Sequence, residues 1–231
     1  IGSIDSAGSF NNDSGFSIVS YTGTGSAGTI KHGLSTTPKM IIQKNRDETQ
    51  PWWTYVESIG AGGQLRLNAT NAAGSDGATL WNSTAPTSSV FSVGDNTGTN
   101  GSSDKCIAYC FADVKGYSKV SGSYVGNGNV NGSYIHLGFS PSLVIQKEYG
   151  ASGEYWMMKD NKRETGNQTD ANLYPNASNA EGDTNGIDLL SNGFKCRTSG
   201  AGSNGSGKLY IYMAWASNPF VTSTGVPATA R

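Results

Sequence analysis

The sequence contains one series of short segments twice, in the same order. The four recurring pairs are residues 15–17 and 116–118, residues 38–44 and 141–147, residues 52–53 and 155–156, and residues 107–112 and 211–216. The spacing between partners is about one hundred residues and rises slightly along the chain, as expected when a duplicated unit acquires loop insertions. We therefore predict a lead-in at 1–14, a β-rich repeat A at 15–114, a β-rich repeat B at 115–219 and a C-terminal tail at 220–231.

The apolar runs inside the repeats have the alternation of β-strands. Around Ile107 and Ile211, large side chains alternate with mostly small ones, which predicts central strands covered on both faces. Further strands are predicted after Pro38 and Pro141, and no long stretch has a helical period. The loops at 95–103 and 199–207 are predicted to join neighbouring strands as hairpins. The sequence thus predicts an all-β protein, an antiparallel β-sandwich built from two internally duplicated halves.

The composition excludes several classes of function. Only 14% of the 231 residues are charged and the net charge is −1, so no clustered basic surface is expected for nucleic acid or an anionic membrane. The sequence contains neither a signal peptide nor a long apolar run, so membrane insertion is not predicted. The chain begins at Ile1 rather than Met, and we expect it to be a piece of something longer.

The three cysteines are predicted to be small buried residues. Cys106 and Cys110 lie on one predicted strand, too far apart to form a disulfide. A bridge between Cys106 and Cys196 remains possible, although nothing in the sequence supports it. No zinc-type spacing is present, so we expect assembly in a reducing cytoplasm.

No motif in the sequence predicts an enzyme, a metal site or a cofactor. Residues 23–28 and 200–205 match G-x-G-x-x-G, and 202–208 begin like a phosphate-binding loop, but a strand follows each instead of the required helix. The two histidines, His32 and His136, are out of phase between the repeats and predict no catalytic set. We therefore predict no catalytic residues, no metal and no cofactor.

Aromatic residues are the remaining candidates for a binding site. Aromatic rings that are exposed can stack on sugar rings, and four residues near strand ends or loops are candidates for this role: Trp52, Trp81, Tyr155 and Tyr174. In the repeat, Trp52 is matched to Tyr155 and Trp53 to Trp156. The alternative is that these rings are buried under the second sheet or in a subunit contact.

Several segments resemble a β-rich domain that recurs in predicted tail-fibre proteins of marine bacteriophages and prophages. The segments that carry the resemblance are 15–23, 32–34, 38–42, 107–112, 116–118 and 218–223. The resemblance covers about residues 15–225 and implies a virion surface component, either a distal tail fibre or a host-recognition domain. Such fibres are commonly homotrimers, and the resemblance supplies no catalytic residues.

Three functions from different classes follow. The leading hypothesis is a tail-fibre domain, assembled in the host bacterial cytoplasm, that binds a bacterial surface polysaccharide or glycan and contacts other virion proteins. The alternative is a purely structural virion component, such as a capsid decoration or a tail or baseplate appendage, without ligand binding. A third is a polysaccharide depolymerase in which folding brings together acids such as Asp160 or Asp188.

Overall fold

The chain folds into sixteen strands and two short helices in a computed structural model that describes residues 2–218. The strands of the first half are β1 Ser6–Asn11, β2 Phe16–Thr22, β3 Gly28–Lys31, β4 Met40–Asn45, β5 Trp53–Val56, β6 Leu65–Arg66, β7 Val90–Val93 and β8 Lys105–Phe111. Those of the second half are β9 Ser118–Val125, β10 Tyr134–His136, β11 Pro141–Glu148, β12 Trp156–Asp160, β13 Thr169–Asn172, β14 Gly182–Leu190, β15 Gly193–Cys196 and β16 Leu209–Ala216. The helices are α1 Gly77–Trp81 and α2 Thr97–Asn100. The predicted all-β class is confirmed.

The chain divides into two compact units. Unit 1 contains Ile1–Asn68 and Ala73–Asp113, and unit 2 contains Ala69–Ala72 and the chain from Val114 onward. The predicted boundary between the repeats falls at 114/115, one residue later. The lead-in at 1–14 belongs to unit 1, because β1 pairs with β2 and Ile4 is buried in its core. The predicted tail at 220–231 lies outside the described residues.

In unit 1, a six-stranded antiparallel sheet packs against a smaller layer. The sheet order is β1-β2-β8-β4-β5-β6, and the second layer is the β3-β7 pair with α1. The central strand β8 turns its small side chains into the core: Cys106, Ala108 and Cys110 are fully buried. Small residues at these positions allow the large rings of the second layer to approach the sheet closely.

In unit 2, two four-stranded antiparallel sheets form the sandwich. Their orders are β12-β11-β16-β9 and β10-β15-β14-β13. Strand β16 is central, as predicted, and Val144 and Ala214 of the first sheet meet Ile187 and Phe194 of the second in the core. Both sheets are open, and each central strand has partners on both edges.

The larger sheets of the two units share a strand order. In unit 1 four neighbouring strands have the order β2-β8-β4-β5, and in unit 2 four have the order β9-β16-β11-β12. In both, the first of the four strands along the chain lies next to the last, which is followed by the second and the third. The register also corrects one predicted match. Gln43 pairs with Trp53, whereas Gln146 pairs with Met157. When the two units are aligned on these glutamines, Trp52 therefore corresponds to Trp156 and not to Tyr155. The common origin of the two halves stays a prediction.

The two loops predicted to close hairpins connect different sheets instead. Loop 95–103 leads from β7, which pairs with β3, to β8 in the six-stranded sheet, and it contains α2. Loop 199–207 leads from β15 to β16, which also lie in different sheets. The prediction of hairpins was wrong because turn residues mark a change of direction and do not show which strands pair afterwards.

Candidate functional site

Trp52 lies directly before β5, and its side chain is half-buried on the unit 1 sheet. Its indole stacks on Tyr109, with ring centroids 6.3 Å apart and planes inclined by 24°. Trp53 points the opposite way and is buried, as expected for adjacent residues on a strand. The half-buried ring of Trp52 therefore stays available as a candidate contact residue.

Trp81 is a core residue, which corrects the expectation that it lies exposed near a loop. It ends helix α1, is 2% exposed, and donates its indole N–H to the carbonyl oxygen of Gly63 at 3.0 Å. Its ring also meets Tyr55 edge to face at 6.0 Å. A sugar could not reach this ring without opening the core. Helix α1 was not predictable, since five residues are too few to show a helical period.

Tyr155 and Tyr174 are brought together in unit 2, although 18 residues separate them in the chain. Their ring centroids are 5.1 Å apart, the planes are inclined by 58°, and both side chains are half-buried. Tyr155 precedes β12 and Tyr174 follows β13, and these two strands are neighbours through the bridge between Met158 and Leu173. Folding thus makes one aromatic surface from two candidates that the sequence treated separately.

Polar residues lie close to both tyrosines along the chain. The side-chain oxygen of Asn176 accepts a hydrogen bond from the backbone N–H of Trp156 at 3.0 Å, which fixes the loop that carries Tyr174. Glu154, next to Tyr155, lies 3.9 Å from the Lys208 ammonium. The side-chain nitrogen of Asn176 is buried and has no hydrogen-bond partner within the described residues. Flat aromatic area beside amide, carboxylate and ammonium groups is the combination that binds hydroxylated rings.

A second polar feature lies in unit 1, beside the edge strand β1. A cleft of about 460 Å³ is lined by Asp5, Ser6, Ser20, Arg46 and Lys105, among others. Arg46 and Lys105 are exposed and form no ion pair within 4.0 Å among the described residues. Two unpaired cations beside hydroxyl groups favour an anionic group of a ligand over a neutral one. The sequence did not predict this cleft, because 46 and 105 become neighbours only through pairing of β4 with β8.

Two buried polar side chains lie in the interior of unit 2. Lys159 and Asn172 are both fully buried, and among residues 2–218 neither the Lys159 Nζ nor the Asn172 Oδ1 has a hydrogen-bond partner. Burial lowers the pKa of Lys159 to about 7. A signal for the buried lysine was present in the sequence, since Lys159 ends the otherwise apolar run Trp156-Met157-Met158-Lys159.

The three cysteines lie buried in the two units. Burial raises the pKa of Cys106 and Cys196 to about 11 and that of Cys110 to about 12, so all three are unreactive thiols at neutral pH. All three are free and buried, as predicted. Residues 2–218 contain no group of three or more His, Cys, Asp or Glu side chains arranged to hold a metal ion. Within the same range, no helix has the length and apolarity needed to span a membrane.

Comparison with known families gives one match. The model of a family described as a domain of unknown function, DUF7483, matches residues 1–219, and the chain therefore belongs to that family. Comparison with the curated proteins gives no match, and comparison with the solved structures gives none either.

Proposed function

We propose that the chain is a tail-fibre domain of a bacteriophage virion and that it binds a glycan on the host cell surface. The observation that carries the binding proposal is the Tyr155–Tyr174 pair, two half-buried rings 5.1 Å apart with polar side chains beside them. The resemblance of 15–225 to phage tail-fibre domains supports the virion assignment. On this proposal the partners are a bacterial polysaccharide and other virion proteins, and the assembly is a homotrimer.

The cleft beside β1 supports an acidic polysaccharide rather than a neutral one. Its unpaired Arg46 and Lys105 would bind carboxylate or sulfate groups of a charged glycan. Trp52, stacked on Tyr109 in the same unit, supplies a further aromatic surface. The proposal therefore has an aromatic part and a charged part that can be tested separately.

The test is binding of the purified chain to polysaccharides extracted from candidate host bacteria. Tyr155→Ala and Tyr174→Ala should each weaken binding about two- to tenfold, since a ring contact contributes roughly 0.5–1.5 kcal/mol. Tyr134→Ala is the matched control, because Tyr134 is also in unit 2 and is 47% exposed but contacts His136 instead. Unchanged affinity in both tyrosine variants would remove the aromatic site.

The same assay separates the glycan-binding role from a purely structural one. A folded wild-type sample that binds no host polysaccharide, and binds host cells equally before and after their polysaccharide is stripped, favours the structural virion component. In that case, antibody labelling of virions should place the chain on the capsid, tail or baseplate and not at a fibre tip.

A further inference from the structure

Strand β1 is an exposed sheet edge without the usual protection. Among residues 2–218 it pairs only with β2, through an unbroken register that has no bulge. Its sequence contains no charged residue and no proline, and residues 7–11 are all exposed. The edge strands β6, β9 and β12 contain, by contrast, the charged residues Arg66, Lys119 and Asp160. An uncharged, regular edge is a template for pairing with a further strand, and native proteins normally avoid leaving one free.

Phe10 leaves most of its ring exposed on this edge. The side chain is 57% exposed, although the ring lies close to Gly33, where an added Cβ would be 2.7 Å from its Cδ1. A single exposed apolar side chain is common on protein surfaces and indicates nothing by itself. The ring of Phe10 is informative because an open groove lies beside it on the same edge.

This groove has a volume of about 180 Å³ and reaches down to the core of unit 1. It is lined by β1, by Val19 of β2 and by residues 31–33 after β3. Val19 and His32 are 3% and 1% exposed, so they form its buried end. On the β1 side the lining includes Gly8, which has no side chain and therefore leaves space for a side chain from outside.

Gly8 and Phe10 lie on the face of the sheet that carries the groove. They pair with Val19 and Ser17 of β2, and both of these partners are buried. Residues directly opposite each other on antiparallel strands share a face, and successive residues along a strand alternate between faces. A further strand added antiparallel to β1 would therefore direct every second side chain toward the groove.

We propose that β1 pairs antiparallel with β1 of a second copy of this chain, and that each Phe10 fills the groove of the other copy. A two-fold axis perpendicular to the sheet keeps equivalent faces together, so it must pass through a residue of β1 that faces itself. With the axis at Ser9, the pairing uses the exposed residues 7–11 and places Phe10 opposite Gly8 of the second copy. Ser6 stays outside the pairing, and its hydroxyl donates to the Lys31 carbonyl at 3.3 Å. An aromatic ring that covers a glycine across two strands stabilises a sheet.

A second copy fits this edge better than an unrelated strand because one edge carries both halves of the contact, the exposed ring and the groove that accepts it. Identical strands repel when like charges face each other, and β1 has no charge. Each strand also gains hydrogen-bond partners for the backbone groups on its free edge. The contact joins copies two at a time and does not use the Tyr155–Tyr174 pair. The proposal therefore goes beyond the glycan-binding function and does not depend on it.

The first test is the molar mass of the full chain in solution, measured by light scattering after size-exclusion chromatography at matched concentrations. The wild type should have twice the mass of Phe10→Ser, which removes the ring from both grooves. Ser9→Lys should halve the mass in the same way, since it places two ammonium groups opposite each other at the axis. Val130→Ser is the matched control: Val130 is 64% exposed but lies outside the strands, and this variant should keep the wild-type mass.

The second test is a disulfide across the axis. In Ser9→Cys the two new cysteines face each other with Cα atoms about 4.5–5.5 Å apart, so mild oxidation should cross-link two copies. In Ala7→Cys, the control on the same strand, the two cysteines are about 13 Å apart along the strands and should stay unlinked. The three native cysteines are buried and do not compete.

Two results would overturn the proposal. The first is an equal molar mass for the wild type and Phe10→Ser, with both shown to be folded by circular dichroism. The second is cross-linking of Ala7→Cys as readily as Ser9→Cys, or of neither variant, because the pairing centred on Ser9 requires a difference between them.

Discussion

Replacing Asn100 with aspartate tests how the loops of unit 1 are held. Asn100 is fully buried at the end of α2, and its Nδ2 donates to the carbonyls of Ser26 and Gly94, both at 2.7 Å. Its Oδ1 accepts from the backbone N–H of Thr24 at 2.9 Å. Asn100→Asp keeps the shape and the acceptor but replaces the two donated hydrogen bonds with a carboxylate oxygen facing two carbonyl oxygens.

The expected loss of stability follows from those two bonds. The buried Gly94 carbonyl is left unsatisfied, and the Ser26 carbonyl loses one bond but keeps the one from the Thr24 hydroxyl at 3.0 Å, so the free energy of unfolding should fall by about 2 kcal/mol at pH 7. Burial beside two carbonyls disfavours the charged carboxylate and raises the pKa of the new acid above its unfolded value. The loss should therefore be largest at neutral pH and shrink as the pH falls toward 4, where the protonated acid can donate to one carbonyl.

Urea unfolding followed by circular dichroism, at pH 4.5 and pH 7, measures both effects. Asn12→Asp is the matched control, because Asn12 is exposed and uses only its Oδ1, which accepts from the backbone N–H of Ser35 at 2.7 Å. That variant should change stability by no more than about 0.5 kcal/mol. Equal effects of the two substitutions, or an Asn100→Asp effect that does not vary with pH, would refute the reasoning.

Three further predictions concern buried groups. His32 is buried, and its Nδ1 lies 3.2 Å from the backbone nitrogen of Leu34 and its Nε2 lies 3.1 Å from the carbonyl oxygen of Thr87. Because burial lowers the pKa of His32, the folded state favours the neutral ring. The stability of the wild type should fall as pH drops below the unfolded value of 6.5, and urea unfolding at pH 5.5 and 7.5 should show a smaller difference in His32→Gln. Maleimide at pH 7.5 should modify none of the three cysteines in the native chain and all three in urea, as counted by mass spectrometry; rapid labelling of native protein would contradict their burial. In Gly122→Ala the new Cβ would lie 1.9 Å from the Cζ of Tyr212, which should cost about 1–3 kcal/mol of unfolding free energy, and an unchanged urea midpoint would show that the ring moves freely.

The central strands were predictable because their side chains alternate. Strands β8 and β16 were expected at the middle of sheets, and both have partners on either edge. Strand β14 was not predictable, since Gly182–Leu190 begins with polar residues and carries no alternation at its start. The pairing of the strands that flank loops 95–103 and 199–207 was also not predictable from the sequence, because pairing depends on contacts between residues far apart in the chain.

The candidate site was predictable only in part. Tyr155 and Tyr174 were identified as single residues, and folding made them a pair. Trp81 was misplaced, because a tryptophan in a short polar segment has the same local sequence whether its ring points inward or outward.

The two buried asparagines at the loop crossings constrain how sequences of this family can diverge. Asn100 holds loop 23–26, and in unit 2 Asn204 holds 127–129 by contacts of its Nδ2 with the Asn127 Oδ1 and the Asn129 carbonyl, both at 2.8 Å. An inserted residue in either loop would move the chain away from a fixed amide. Insertions should therefore accumulate elsewhere, and the exposed segment 178–180, which follows Tyr174, is free to change in length and charge. Members of the family should therefore differ from one another in this segment while both crossings stay unaltered.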